Sequence, residues 1–213
     1  MGGLKLFCGY RDWAVRIYDT LGVDWDFVSS PEELKQATEK NNYDTIFFIG
    51  WSWIVDEKLL ESSRCICMHP SALPKYRGGS PIQNQIIDGV TDSAVTFFIM
   101  DNELDHGRIL WQEEMKLVGS LTYIFAKMSI LGRLGIEFIL DNPEHQGYEQ
   151  DHSQATICRR RKPKDSEIKS QDFSCMTAKQ LYNKIRCLQD PYPNPYIECA
   201  DGTKLFIKEA YYE

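Results

Sequence analysis

The sequence predicts an α/β fold with a mainly parallel sheet, and three observations predict it. Short β-branched and aromatic runs recur through the first half of the 213 residues. Stretches with helical spacing separate them, so successive strands are joined by crossovers and pair in parallel. A 43% share of hydrophobic residues supplies enough apolar side chain for a real core.

The elements follow in order. Residues 4–8 form a short apolar strand, and residues 13–21 set Trp13, Ile17 and Leu21 on one helical face. Trp25–Val28 is the second strand. Ser30-Pro31-Glu32-Glu33 opens a helix with a serine N-cap, proline at the first helical position and acids against the positive helix end. Thr45–Ile49, bounded by Gly50, is a buried strand, and 65–68 is the next. Ser80-Pro81 begins a further helix with Ser80 as its cap. Strands at 93–99 and 109–115 complete the sheet.

Residues 122–140 form the longest helix. Ile124, Met128, Leu131, Leu134, Ile136 and Phe138 give it a wide apolar face, and Asp141-Asn142-Pro143 stops it. A polar stretch at 145–153 and a basic cluster at 159–162 follow, then a helix near 177–188. A hairpin of 196–199 and 204–208 turns on Asp201-Gly202. The organisation expected is a catalytic unit over residues 1–150 and a C-terminal extension over 151–213, a helix and β-hairpin too small to stand alone.

Composition removes several function classes. No window approaches the roughly 18 consecutive apolar residues of a membrane span. The start Met1-Gly2-Gly3-Leu4-Lys5-Leu6 lacks the regions of a signal peptide, and Leu6 stands where a myristoylation motif wants Ser or Thr. A soluble, cytoplasmic protein with no membrane partner is expected. Seven cysteines without CxxC spacing make neither a disulfide framework nor a zinc site, so reduced thiols and no metal are expected. A net charge of −7 argues against broad contact with a nucleic-acid backbone.

The chemistry gathers in two loops. After the strand at 65–68 come His69-Pro70-Ser71-Ala72-Leu73-Pro74-Lys75-Tyr76-Arg77-Gly78-Gly79-Ser80-Pro81, which pack a histidine, two cations, two glycines and three prolines into 13 residues. In an open α/β sheet, ligands bind beyond the carboxyl ends of the strands, so so irregular a loop there reads as a site. A second loop, Asp101-Asn102-Glu103-Leu104-Asp105-His106-Gly107, holds three carboxylates and a histidine.

HPSALPKYRGGSPIQNQI followed by VTFFIMDNELDHGRIL resembles the core of the folate-dependent formyltransferases. Weaker likeness extends to GYRDWA near the start, to RRRKPKDSEI and to NKIRCLQDPYPNPYI, the last two closest to sugar-nucleotide N-formyltransferases. The resemblance implies a Rossmann-like fold, 10-formyltetrahydrofolate as formyl donor, and a catalytic Asn-x-His plus Asp. His69 and Asp105 match the histidine and aspartate, while Cys67 stands in the asparagine's place. It also implies contacts to the folate from Ser71, Leu73, Gly79, Ser80, Met100, Asp101 and Leu104. Tyr10, Trp51, Trp53, Lys75, Tyr76, Arg77 and Arg160 are the residues expected around the amine substrate.

That substrate is expected to be a nucleotide-linked aminosugar carrying dTDP or GDP. The attacking amine puts charge on the formyl oxygen and must lose a proton. His69 can donate to that oxygen. Asp105 can orient and charge the imidazole, or take the proton directly or through water. Asn84, in the first turn after Ser80-Pro81, is expected to supply the amide that Cys67 does not.

Plainer readings stand beside these. Asp105 can be a turn former before Gly107, Cys67 a buried filler and Asn84 a helix-surface residue. Lys75 and Arg77 can hold acceptor phosphates and the 159–162 run can close over a diphosphate, or all of them can be solvated charges, and Tyr10, Trp13, Trp51 and Trp53 can be packing. Other functions stay open as well: formylation of glycinamide ribonucleotide, hydrolysis with Cys67 as nucleophile and His69 as base, or folate binding without turnover. An aminoacyl-tRNA fits least, because the chain is acidic and leaves no room for a sizeable RNA-binding domain. The aromatic hairpin end, Ala210-Tyr211-Tyr212-Glu213, suggests a homodimer.

Overall fold

A computed structural model describes residues 3–213; the Met1-Gly2 start read above lies outside the described residues. The main sheet has six strands: β1 (Lys5–Cys8), β2 (Trp25–Val28), β3 (Thr45–Ile49), β4 (Arg64–His69), β6 (Asp92–Ile99) and β7 (Ile109–Lys116). Their spatial order is β2-β1-β3-β4-β6-β7. The pairs β1–β2, β1–β3 and β3–β4 are parallel, whereas β4–β6 and β6–β7 are antiparallel. The parallel half matches the sequence reading, and the antiparallel edge is new. Between β4 and β6 the chain makes the His69 loop and the seven-residue helix α4 (Pro81–Ile87), then returns alongside β4 instead of crossing over.

Helices cover both faces. On one lie α1 (Asp12–Tyr18) and α5 (Leu121–Asp141), on the other α2 (Pro31–Lys40) and α3 (Glu57–Ser62). Strand side chains alternate between the two cores. Phe7, Phe47, Ile66 and Phe97 face α1 and α5, while Leu6, Ile46, Phe48 and Cys65 face α2 and α3. Both faces being buried explains why β3 reads as a continuous apolar run.

Ser30 caps α2 as its sequence predicts, accepting the Glu33 amide. The longest helix uses less of its apolar face than expected. Ile124, Met128, Ile136 and Ile139 are buried, but Leu134 and Phe138 remain exposed. Closest approach falls instead at Gly132 and Gly135, where an added Cβ would run into Ile17 and Phe97.

Beyond α5, β8 (Ile157–Cys158) returns to pair with β5 (Arg77–Gly78), a bridge absent from the sequence reading. α6 (Asp172–Cys175) and the Thr177-capped α7 (Ala178–Arg186) follow, and α7 packs on α4. The expected hairpin is present as β9 (Tyr196–Glu198) and β10 (Lys204–Phe206). Among the described residues no helix is long and apolar enough to cross a membrane.

Candidate functional site

β4 runs one residue further than its sequence suggests, so His69 is its last strand residue, paired with Thr96. The loop after it is tied down from within. Ser71 Oγ donates to the Lys75 carbonyl at 2.6 Å, Thr96 Oγ1 donates to the Ser71 carbonyl at 2.6 Å, and Leu73 packs beside Phe98 and Ile109. Tyr76, with φ at +58°, presents its carbonyl to His69 Nε2 at 2.8 Å. A carbonyl only accepts, so Nε2 carries the hydrogen. Nδ1 then meets Asp105 Oδ2 at 3.3 Å. Two hydrogen-bond acceptors flank one imidazole, the Nδ1 contact being longer than a charge-assisted hydrogen bond.

Asp105 reaches this position by a detour. Met100 still sits at the level of Cys65, its amide donating to the Cys65 carbonyl at 2.8 Å. By Asp105 the chain has climbed to His69, with φ at +48° and Oδ2 accepting the Gly78 amide at 2.7 Å. Gln150 holds the climb in place: its Nε2 donates to the carbonyls of Asp105 and Gly107 at 3.0 and 2.8 Å. Its Oε1 accepts Arg77 Nε and Nη2 at 3.2 and 2.6 Å. Arg77 Nη2 also lies 2.8 Å from His152 Nδ1, whose ring stacks on His106 at 4.0 Å.

Residues 156–162 form a strap across the His69 loop. Arg77 N donates to the Thr156 carbonyl at 2.8 Å and Gly79 N to the Cys158 carbonyl at 3.0 Å. Gly79 cannot be larger, since a Cβ there would fall 2.5 Å from Arg160 Cβ. Ser80 is not the expected cap. With φ at +54° its hydroxyl faces away from the helix and accepts the Arg161 amide at 3.1 Å.

The result is a cleft of about 1130 Å³. Of the residues singled out from sequence, it brings together Cys67, His69, Gly79, Ser80, Met100, Asp101, Leu104, Asp105, Trp51, Trp53 and Arg160. Others lie elsewhere. Asn84 does not face the cleft: its amide donates to the Gly79 and Arg159 carbonyls, both at 3.0 Å, and ties the strap to α4. With Lys75 and Tyr76 it borders a separate cavity of about 630 Å³.

Ser71 and Leu73 are buried supports of the loop, not part of the cleft wall. Arg77 is 7% exposed and fully engaged by Gln150 and His152, so it is not free to hold a phosphate. Tyr10 packs behind Trp53 at 4.7 Å and donates to Ser52 Oγ at 2.8 Å.

Cys67 shares the cleft floor with His69, but burial, helped by the Asp105 carboxylate, pushes its thiol well above the usual value. The imidazole nitrogens face Tyr76 and Asp105 and make no hydrogen bond to the thiol. Neither half of a thiolate–imidazole nucleophile is therefore in place. Among the described residues no cluster of metal-ligating side chains is found.

Sequence reasoning missed Gln150, Gln83 and Tyr192, and took Arg161 only as part of the basic run. Glutamines in polar or helical stretches carry no signal until the fold buries them. The basic run did flag the neighbourhood of Arg161.

The family described as formyl transferase matches residues 26–123. A methionyl-tRNA formyltransferase from Sulfurovum sp. is 31% identical over 179 residues, covering 82% of this chain and 56% of that protein. Further curated relatives bear the same name, and the chain spans little more than half the length of those it matches. Two solved structures show the same fold. HypX from Aquifex aeolicus in complex with tetrahydrofolic acid has a TM-score of 0.82 at 16% identity, over 100% of this chain and 38% of that one. A sugar N-formyltransferase from Shewanella sp. has a TM-score of 0.68 at 16% identity, over 98% of both.

Proposed function

We propose that this chain, matched over residues 26–123 by the formyl transferase family, transfers a formyl group from 10-formyltetrahydrofolate to the amine of a nucleotide-linked aminosugar. One observation carries the reading: the His69–Asp105 pair, held by the Tyr76 carbonyl and the Gly78 amide, opens into a large cleft.

The cleft suits both reactants. Trp51, Phe98, Met100 and Leu104 give it an apolar, aromatic stretch for a flat pterin. Asp101, Glu103 and Asp105 on the same side can accept hydrogen bonds from ring N–H groups. Arg11, Arg160, Arg161 and Lys162 line another part of the wall and favour an anionic amine substrate. The net charge of −7 makes that basic stretch a local feature, better matched to a phosphate pair than to a long polyanion.

The folate brings a formyl carbon on a nitrogen leaving group. His69 supplies the polarising donor. Its ring is fixed through Nε2–H, which leaves the Nδ1 proton to be shared between Asp105 and the oxygen on which charge develops. Asp105, anchored by Gly78, accepts the proton that the amine loses, directly or through water, and that proton passes to the folate nitrogen as its bond to the formyl carbon breaks. Cys67 adds only a weak S–H donor, so oxyanion stabilisation falls mainly on His69.

A second reading keeps a specific observation in its favour: the curated relatives are methionyl-tRNA formyltransferases. The deciding experiment incubates the protein with 10-formyltetrahydrofolate and, separately, dTDP-, GDP- and UDP-aminosugars, glycinamide ribonucleotide and methionyl-tRNA, with mass readout. One formyl mass on an aminosugar supports the proposal. Formylation confined to methionyl-tRNA or to glycinamide ribonucleotide rejects the sugar substrate but keeps the reaction. A homodimer through the β9–β10 edge, where Leu205 and Phe206 are exposed, belongs to the same proposal. Sedimentation showing only monomer at micromolar concentration rejects it.

A further inference from the structure

Three buried donors in the cleft have no hydrogen-bond acceptor: Trp51 Nε1, Gln83 Nε2 and Arg161 Nε. Two of them sit on adjoining segments of the cleft wall. Gln83 lies in the first turn of α4 and is 3% exposed. Arg161 follows the strap, placed by its backbone amide on Ser80 Oγ at 3.1 Å and by Nη2 on the Asp165 carbonyl at 2.7 Å. Since Ser80 immediately precedes α4, the strap sets Arg161 beside the turn that carries Gln83. Tyr192 borders the same patch with its hydroxyl next to Gln83, and the Arg11 guanidinium lies 5.9 Å from its ring.

The neighbouring amides make the contrast. Asn84 is satisfied by two carbonyls, and Gln85 Nε2 donates to Pro70 and Pro81 at 2.9 and 3.0 Å. Of three consecutive amides on α4, Gln83 alone donates to no carbonyl and has only the Tyr192 hydroxyl beside it, and it is the one that lines the cleft. A buried amide left unpaired is costly, so such groups are normally matched by a partner or a ligand. Every unpaired group here is a donor. The carboxylates of the cleft come from other segments, Asp56 and Glu57 and the 101–105 loop. Arg11 and Arg160 have no ion-pair partner among the described residues.

We infer that Gln83 and Arg161, with Arg11 beside them, form an anion subsite that seats an oxyanion of a bound reactant and so sets which amines reach His69. The inference rests on the formyl-transfer reading for its consequence. Two reactants could bring such a group: the phosphates of the amine substrate or the glutamyl carboxylate of the folate. The convergence of two guanidinium groups favours phosphate.

Calorimetric titration of the full chain with inorganic pyrophosphate, with 5-formyltetrahydrofolate and with tetrahydropteroate, which lacks the glutamate, tests it. Gln83→Leu should weaken pyrophosphate binding about tenfold, the size expected for a lost hydrogen bond to a charged group. Gln83→Glu, nearly isosteric, should weaken it further by placing a negative charge against the anion, with the melting temperature of both variants checked against the parent. In turnover, the same variants should raise KM for the amine substrate and leave kcat in place.

A loss seen instead with 5-formyltetrahydrofolate, and absent with tetrahydropteroate, keeps the subsite and assigns it to the folate's carboxylate. Unchanged affinity for all probes in well-folded variants overturns the subsite, as does a parent protein that binds neither pyrophosphate nor the glutamyl group. If the affinity losses appear but no amine is formylated, the subsite stands and the formyl-transfer reading falls.

Discussion

Asp105 Oδ2 lies 3.3 Å from His69 Nδ1 while accepting the Gly78 amide at 2.7 Å, so one carboxylate oxygen ties the two loops together at the reacting centre. The contact to Nδ1 is longer than a charge-assisted hydrogen bond, which leaves the proton room to engage a substrate oxygen. Apo sites commonly show such looseness and tighten with reactants bound.

His69→Ala should reduce kcat by about 10²–10³-fold through loss of the oxyanion donor. Asp105→Asn should cost about 10²–10⁴-fold through loss of the proton acceptor. Single-turnover formyl transfer checks both, and unchanged rates would remove the pair from the mechanism.

Cys67 should resist alkylation. Its thiol is held neutral by burial and by Asp105, and the thiolate is the reactive form. The exposed Cys175 and Cys199 should take up iodoacetamide first, as peptide mapping by mass spectrometry will show. Cys67→Ser should keep formyl transfer; its complete loss, with rapid labelling of Cys67 in the parent, would restore a thiol mechanism.

Asn84→Ala should leave turnover close to that of the parent, since its amide serves the Gly79 and Arg159 carbonyls and not a reactant. Stability should drop by about 1 kcal/mol for the lost bonds, measured by urea denaturation.

Gln150→Leu should do both kinds of damage. It strips the buried Arg77 guanidinium of its main acceptor and frees the carbonyls of Asp105 and Gly107. A loss of about 1–3 kcal/mol is expected, together with a lower kcat at unchanged affinity for folate. A stable variant with normal kcat would show that the clamp is not what positions Asp105.

Acid should loosen the strap before it unfolds the sheet. The Arg159 guanidinium and the Lys162 amide hold the Asp165 carboxyl well below the usual carboxylate range. A carboxyl lowered by folding stabilises above its unfolded value, and that stabilisation is lost as pH falls through the lowered folded one. Hydrogen exchange of the Arg161 and Lys162 amides should therefore accelerate below about pH 4, the unfolded carboxyl value. In Asp165→Asn it should be fast already at neutral pH.

The parallel strands, the Ser30 cap, the long helix and the hairpin are legible because each depends on neighbours within a few residues. The antiparallel edge is not, since it depends on how far α4 can carry the chain between β4 and β6. The His69 and Asp105 loops were visible by their composition. Asn84 was read into the site because position in a helix turn does not say where a side chain points. Arg77 was read as a phosphate ligand because its counterpart, Gln150, lies 73 residues further on. A still longer separation hides β8, two residues long, whose partner is β5.

That bridge also orders events in time. As the chain leaves a ribosome, the sheet-forming strands and both reacting loops emerge well before Gln150, Thr156 and Cys158. Until those residues arrive, the Arg77 guanidinium, the Gly79 amide and the carbonyls around Asp105 have no protein partners. The scaffold can collapse first on its own core, but the His69–Asp105 geometry is assembled last. A chain released after about residue 141 should therefore hold a folded sheet and an idle site.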